Sequence, residues 1–154
     1  MRDVEATYRR YFPLIREKCR RMLGDADAQD VAQETFVRFW DSAMENEDMQ
    51  RTTAWIYRTC TRLMIDRLRE RKRRPASADT LHDLPAAGTD ADELLSQRRE
   101  LVQLIDALPS QELEVAMLSR IDRLTHDEIA EVLGISDRTV RRCLARLGER
   151  VGTR

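Results

Sequence analysis

Apolar side chains recur three and four positions apart through most of this chain, the spacing that gathers them on one face of a helix. From Val4 to Leu23 the set is Tyr8, Tyr11, Phe12, Ile15, Cys19, Met22 and Leu23. Pro13 lies inside that run and is expected to kink or split the helix, and Gly24 to end it. Asp25 or Asp27 then caps a second helix, D-A-Q-D-V-A-Q-E-T-F-V-R-F-W-D, with acidic side chains in the first turn, where the helix dipole favours them. Val31, Ala32, Thr35 and Phe36 point inward, together with Phe39 or Trp40. A polar loop covers 44–51, and Thr52 or Thr53 caps a third, longer helix. Its buried stripe is Trp55, Ile56, Cys60, Leu63, Met64 and Leu68.

Periodicity then lapses. From Pro75 to about residue 91 the chain is rich in Pro, Ala, Gly and Asp, the composition of a flexible acidic linker. Asp92 caps the next helix, Pro109 stops it, and Ser110 caps another. Thr125, with Glu128 three residues on, forms a capping box that opens a short helix with Ile129, Val132 and Leu133 on one face. Gly134 supplies the left-handed stop, Ile135 fills the corner, and Ser136 caps the last helix. Two short helices about a tight turn containing glycine make a helix-turn-helix. The pattern therefore predicts an all-α fold of two small helical domains joined by a flexible linker. The domains span 1–75 and 92–154 with the linker at 76–91, and the C-terminal one carries the helix-turn-helix.

Composition agrees with that picture. A chain of 154 residues suits one ordinary domain or two small ones. With 36% charged and only 5% aromatic residues, it favours short amphipathic helices over a sheet. No apolar run approaches a membrane span and the N-terminus lacks a signal-peptide core, so a cytoplasmic protein without membrane insertion is expected.

The net charge of −1 hides a strong segregation. Residues 51–74 hold nine Arg and Lys against two Asp and Glu, a net +7, whereas 1–50 and 75–100 carry −3 and −4. The cations concentrate in one helix, where Arg58, Arg62, Arg69, Lys72 and Arg73 form a long face beside Trp55 and Tyr57. Cationic grooves with stacking platforms suit single-stranded DNA. A second basic face lies on the last helix. Arg138, Arg142 and Arg146 fall opposite Val140, Cys143, Leu144 and Leu147, with Thr139 and Arg141 at the margins. Such a face, following such a turn, suits the DNA major groove, where arginine pairs with guanine or holds phosphate. The second helix presents Asp30, Gln33, Glu34 and Arg38 on its polar side near Val37 and Trp40, the makings of a docking surface with an apolar anchor ringed by polar groups.

Catalysis finds no support. Cys19, Cys60 and Cys143 are far apart and outside any C-x-x-C, and His82 and His126 are the only histidines, so neither a zinc site nor a disulfide framework is expected. Each cysteine falls in an apolar pattern and reads as a small buried hydrophobe. No nucleophile–base pair or phosphate-cradling glycine loop is present, and no metal, cofactor or enzymatic activity is expected.

Three motifs in order, D-A-Q-D-V-A-Q-E-T-F-V-R-F-W, T-A-W-I-Y-R-T-C-T-R-L-M-I-D-R-L-R-E-R-K-R-R and L-P-S-Q-E-L-E-V-A-M-L-S-R-I-D-R-L-T-H-D-E-I-A-E-V-L-G-I-S-D-R-T-V-R-R-C-L-A-R-L, resemble extracytoplasmic-function (ECF) sigma factors of the sigma-70 family. The resemblance implies a bacterial transcription initiation factor that brings core RNA polymerase to promoters and helps melt them. Residues 1–75 would be region 2, meeting the β′ clamp helices through Asp30, Gln33, Glu34, Phe36, Arg38 and Trp40. Its third helix would hold the minus-10 element through Trp55, Arg58, Arg62, Asp66, Arg69 and Lys72. Residues 92–154 would be region 4, lying against the β flap and reading the minus-35 element with Ser136, Arg138, Thr139, Arg141, Arg142 and Arg146. The linker would thread toward the RNA exit path, and an anti-sigma factor would be a further partner. The rival is a stand-alone helix-turn-helix regulator. That class reads paired half-sites as a dimer, and no dimerisation helix is evident here.

Overall fold

Glycine 24 turns the chain between its first two helices without a loop. Its φ of 81° lies in the left-handed region, its N–H donates to the Arg20 carbonyl at 3.2 Å, and its own carbonyl accepts from Ala28 N–H at 3.1 Å. The computed structural model describes residues 4–45, 52–74 and 89–152. Among these it forms α1 (Val4–Leu23), α2 (Asp25–Glu45), α3 (Thr52–Arg73), α4 (Thr89–Leu104), α5 (Ser110–Arg120), α6 (His126–Leu133) and α7 (Asp137–Gly152).

Several local expectations are corrected. Pro13 neither splits nor ends α1, which runs through it as one helix. Proline removes one backbone donor, whereas Ile15, Cys19, Met22 and Leu23 beyond it continue the stripe that packs α1 on α2. Because Gly24 already joins the two helices, α2 starts at Asp25, and Asp27 turns to α3, accepting from Arg67 at 3.0 Å and from Arg71 Nε at 2.8 Å. Of the two aromatic alternatives on α2, Phe39 is buried and Trp40 exposed. Thr53 donates to the Tyr11 hydroxyl at 2.8 Å and so ties the start of α3 to α1.

Residues 46–51 and 75–88 lie outside the described residues, and with them most of the loop and linker read from the sequence. Because α4 already begins at Thr89, Asp92 sits inside it. Ser110 is the first residue of α5 rather than its cap; Pro109 precedes the helix, and the Ser110 hydroxyl accepts from Arg69 at 3.2 Å.

The two helical groups are packed on each other. Helix α5 is buried along Glu112 to Leu118 because α3, α4, α6 and α7 surround it. One apolar cluster runs from Ile15, Phe39, Ile56 and Met64 into Leu101, Ile105, Met117 and Leu147. A second gathers Val115, Leu118, Ile129, Val132, Val140 and Cys143, and Tyr57 of α3 packs against both.

Polar groups also cross this contact. Lys18 of α1 pairs with Asp122, their side chains only 3% and 5% exposed, and the Lys18 ammonium lies 5.7 Å from the Tyr57 ring centre. Arg123, at φ 55°, turns the backbone just after Asp122, a conformation that costs a non-glycine residue on the order of 1 kcal/mol. Further out, Arg62 Nε lies 2.5 Å from Glu114 and Lys72 lies 3.1 Å from Asp106.

Candidate nucleic-acid interface

The helix-turn-helix is built as its sequence implies. Glu128 N–H donates to Thr125 Oγ1 at 3.2 Å, and Thr125 N–H returns the bond to the Glu128 carboxylate at 2.9 Å. The bond from Thr125 N–H, and after it the Thr125 hydroxyl, hold the Glu128 carboxyl below its ordinary range. Gly134 closes α6 at φ 66° and ψ 35°, and a Cβ there would meet nothing within 4 Å, so the conformation rather than space selects glycine. Ser136 caps α7 by accepting Thr139 N–H at 3.1 Å.

Val140, Cys143 and Leu147 anchor α7 to the interior. The six residues expected to read DNA all lie on or at the start of this helix, but they differ in freedom. Arg138 and Arg142 are exposed and form no ion pair among the described residues. Arg141 is paired with Asp137 at 2.8 Å, one turn back. Arg146 reaches across to α5, where Nη1 lies 3.1 Å from the buried carboxylate of Glu112. Ser136 and Thr139 spend their hydroxyls on each other and on the cap.

On α3, Trp55 is half-buried against Phe39, with ring centres 5.8 Å apart, and Arg58 is also half-buried. Arg62, Asp66 and Lys72 are exposed, yet Arg62, Arg69 and Lys72 all engage the α5 side of the molecule through Glu114, Ser110 and Asp106. The basic face therefore abuts the second helical group.

On α2, Asp30, Gln33, Glu34, Arg38 and Trp40 are exposed, with Glu34 and Arg38 paired at 3.1 Å. Val37 and Trp40 stand out as large apolar side chains 55% and 53% exposed. Phe36 departs from this set. It is 6% exposed and packed against Tyr8, Phe12 and Phe39, so it supports the surface from beneath and cannot itself meet a partner.

Sequence reasoning missed Lys18, Glu112, Glu114 and Asp122. Lys18 carried a signal: it falls three residues after Ile15 and four before Met22, inside the apolar stripe.

The geometry defines a two-part, all-helical DNA-binding protein, with a helix-turn-helix in one part and a basic helix in the other. Comparison with known families narrows the class. Residues 7–74 match Sigma-70 region 2, and residues 98–147 match Sigma-70, region 4. The chain is 32% identical to the ECF RNA polymerase sigma factor SigW of Bacillus subtilis, over 85% of its own length and 77% of the relative's. It is 29% identical to the ferric citrate uptake sigma factor FecI of Escherichia coli, covering 84% and 77%, and 28% identical to an RNA polymerase sigma-E factor of Streptomyces coelicolor, covering 92% and 81%. The chain belongs to the ECF sigma factors of the sigma-70 family. It is a promoter-recognising RNA polymerase sigma factor and not a stand-alone regulator. Among the described residues no helix is long and apolar enough to cross a membrane.

Proposed function

We propose that this sigma factor docks on the β′ clamp helices of core RNA polymerase through α2, holds the minus-10 element with α3, and reads the minus-35 element with α7. Its working parts are then region 2 over 1–75, a linker over 76–91, and region 4 over 92–154, whose first helices lie against the β flap. The observation that carries this reading is the pair Arg138 and Arg142, exposed near the start of a well-capped recognition helix and free of ion partners among the described residues. Side chains in that part of such a helix reach base edges.

The α2 surface suits a protein partner: Val37 and Trp40 are the apolar anchors, and Asp30, Gln33, Glu34 and Arg38 form the polar rim. On α3, Arg62, Arg69 and Lys72 exchange Glu114, Ser110 and Asp106 for DNA phosphates, so region 4 moves off α3 when the promoter is engaged. An anti-sigma factor is a further partner that would act by holding one of these faces.

Reconstituted transcription with core polymerase on genomic DNA tests the reading. Discrete start sites preceded by a shared pair of upstream elements are expected. Transcription indistinguishable from core enzyme alone would refute it. Within that assay, Arg138→Ala or Arg142→Ala should relax preference at particular upstream bases by roughly ten- to a hundredfold, the worth of a bidentate arginine–guanine contact.

A further inference from the structure

The promoter-binding function makes no use of two thiols at the centre of region 2. Cys19 of α1 and Cys60 of α3, 41 positions apart in the chain, bring their Sγ atoms within 3.3 Å. Both side chains are fully buried, and α1 and α3 pack directly on each other. A disulfide needs sulfurs about 2.05 Å apart, so bond formation asks for an approach of a little over one ångström. We propose that Cys19 and Cys60 are a disulfide-forming site that reacts with hydroperoxides and tethers α1 to α3.

The surroundings distinguish the two sulfurs. Burial alone would push the Cys60 thiol up, but the hydrogen bond with Cys19 and the nearby Lys18 ammonium outweigh it and move Cys60 down. Cys19 moves the other way, through its bond with Cys60 and its burial. Cys60 also lies 3.7 Å from Met64 Sδ. Thiolate, not thiol, is the nucleophile, so Cys60 attacks first.

The Cys60 thiolate attacks the distal oxygen of the hydroperoxide and breaks the O–O bond, giving a sulfenic acid and, for hydrogen peroxide, one water once the departing hydroxide takes a proton. The Cys19 sulfur then attacks that sulfenic sulfur and loses its own proton, and a second water leaves. Two thiols lose two electrons and two protons, one peroxide takes them up, and a dithiol reverses the change. Because both sulfurs are buried, the peroxide enters when α1 and α3 separate transiently. Cys143, buried in the helix-turn-helix, has no thiol beside it and its own thiol is pushed up by burial, which makes it an internal control.

The test treats the whole folded chain with hydrogen peroxide, blocks the remaining thiols with an alkylating agent, and maps peptides without reduction. The peptide bearing Cys19 should be joined to the one bearing Cys60, with an intact mass lower by two hydrogens, Cys143 still alkylated, helical circular dichroism retained, and full reversal by dithiothreitol. In Cys19→Ala the link should vanish and dimedone should capture a sulfenic acid at Cys60, an adduct the wild type does not accumulate. Should Cys19→Ala fail to fold, the wild-type map decides alone. Recovery of Cys19 and Cys60 as free thiols overturns the proposal, as does a link that forms only at denaturant concentrations that melt the helices.

Discussion

Replacing Asp122 with alanine removes the partner of a lysine that has almost no contact with water. Both side chains of the Lys18–Asp122 pair are at least 95% buried where region 4 meets region 2, and the Tyr57 ring closes over the ammonium. Breaking such a pair from one side costs about 3–5 kcal/mol, because the remaining charge keeps its desolvation penalty without compensation. That is a large share of the 5–15 kcal/mol that holds a typical domain together. For a chain of this length even 3 kcal/mol lowers Tm by about 6–12 °C. Asp122→Asn, which keeps the volume and an acceptor, should fall between alanine and wild type.

Compensation identifies the cause. The double variant Lys18→Met with Asp122→Leu removes both charges and fills the space with apolar groups, so it should recover most of the loss. Urea denaturation followed by circular dichroism measures each variant, and small-angle scattering checks whether relief comes instead from region 4 leaving region 2. An Asp122→Ala protein with unchanged melting and unchanged radius of gyration would refute the packing of the two regions described above.

Three further outcomes follow from the helix-turn-helix. Thr125→Ala removes the acceptor for Glu128 N–H and should cost about 1 kcal/mol, read from urea denaturation of the full chain. Gly134→Ala meets no steric obstacle but forces a side chain into φ 66°, so it should also cost about 1 kcal/mol, whereas Gly148→Ala, a helical position with nothing within 4 Å, should be neutral or stabilising. The Glu128 carboxyl is lowered in the folded state, so its contribution is present above the ordinary carboxylate range and is lost as pH falls from there through the lowered folded-state value; Glu128→Gln should flatten that part of the stability–pH curve.

The helix-turn-helix was legible because every one of its signals is local. Capping box, left-handed glycine and apolar spacing each involve residues within four of one another, and all three stand in the structure. The second helix was legible for the same reason, down to exposed Asp30 and Gln33. What stayed hidden is non-local. Lys18 falls inside an apolar stripe, but nothing in the sequence names its partner, because Asp122 lies over a hundred residues later. The burial of Glu112 and Glu114 leaves no local trace, because nothing nearby in the sequence tells that α3 and α7 close over α5. Phe36 shows two readings in conflict: helical spacing turned it inward while the family resemblance put it among the polymerase-facing residues, and its contacts with Tyr8 and Phe12 bear out the spacing.

Arg146 shows how a hidden partner changes an experiment. Read from the helix face alone, it grips phosphate near the exit of α7, can be truncated without opening a cavity, and its removal should weaken all promoters alike. The structure gives it a second task. Its guanidinium is the partner of a Glu112 carboxylate 6% exposed, whose other oxygen has no hydrogen-bond partner among the described residues. Arg146→Ala therefore leaves a buried carboxylate with nothing to bond, a loss of roughly 1.5–3 kcal/mol for a bond to a charged group. Arg138→Ala and Arg142→Ala, whose side chains lie in solvent, should stay within about 0.5 kcal/mol of wild type. Weaker transcription by Arg146→Ala could then reflect an unsettled region 4 instead of a missing phosphate contact. The double variant Arg146→Ala with Glu112→Leu separates the two, because it removes the orphaned charge along with its partner. Stability should return in that variant while the promoter-independent loss of affinity remains. If Arg146→Ala melts as wild type does, Glu112 is not held by this arginine; if affinity returns together with stability, Arg146 does not touch DNA.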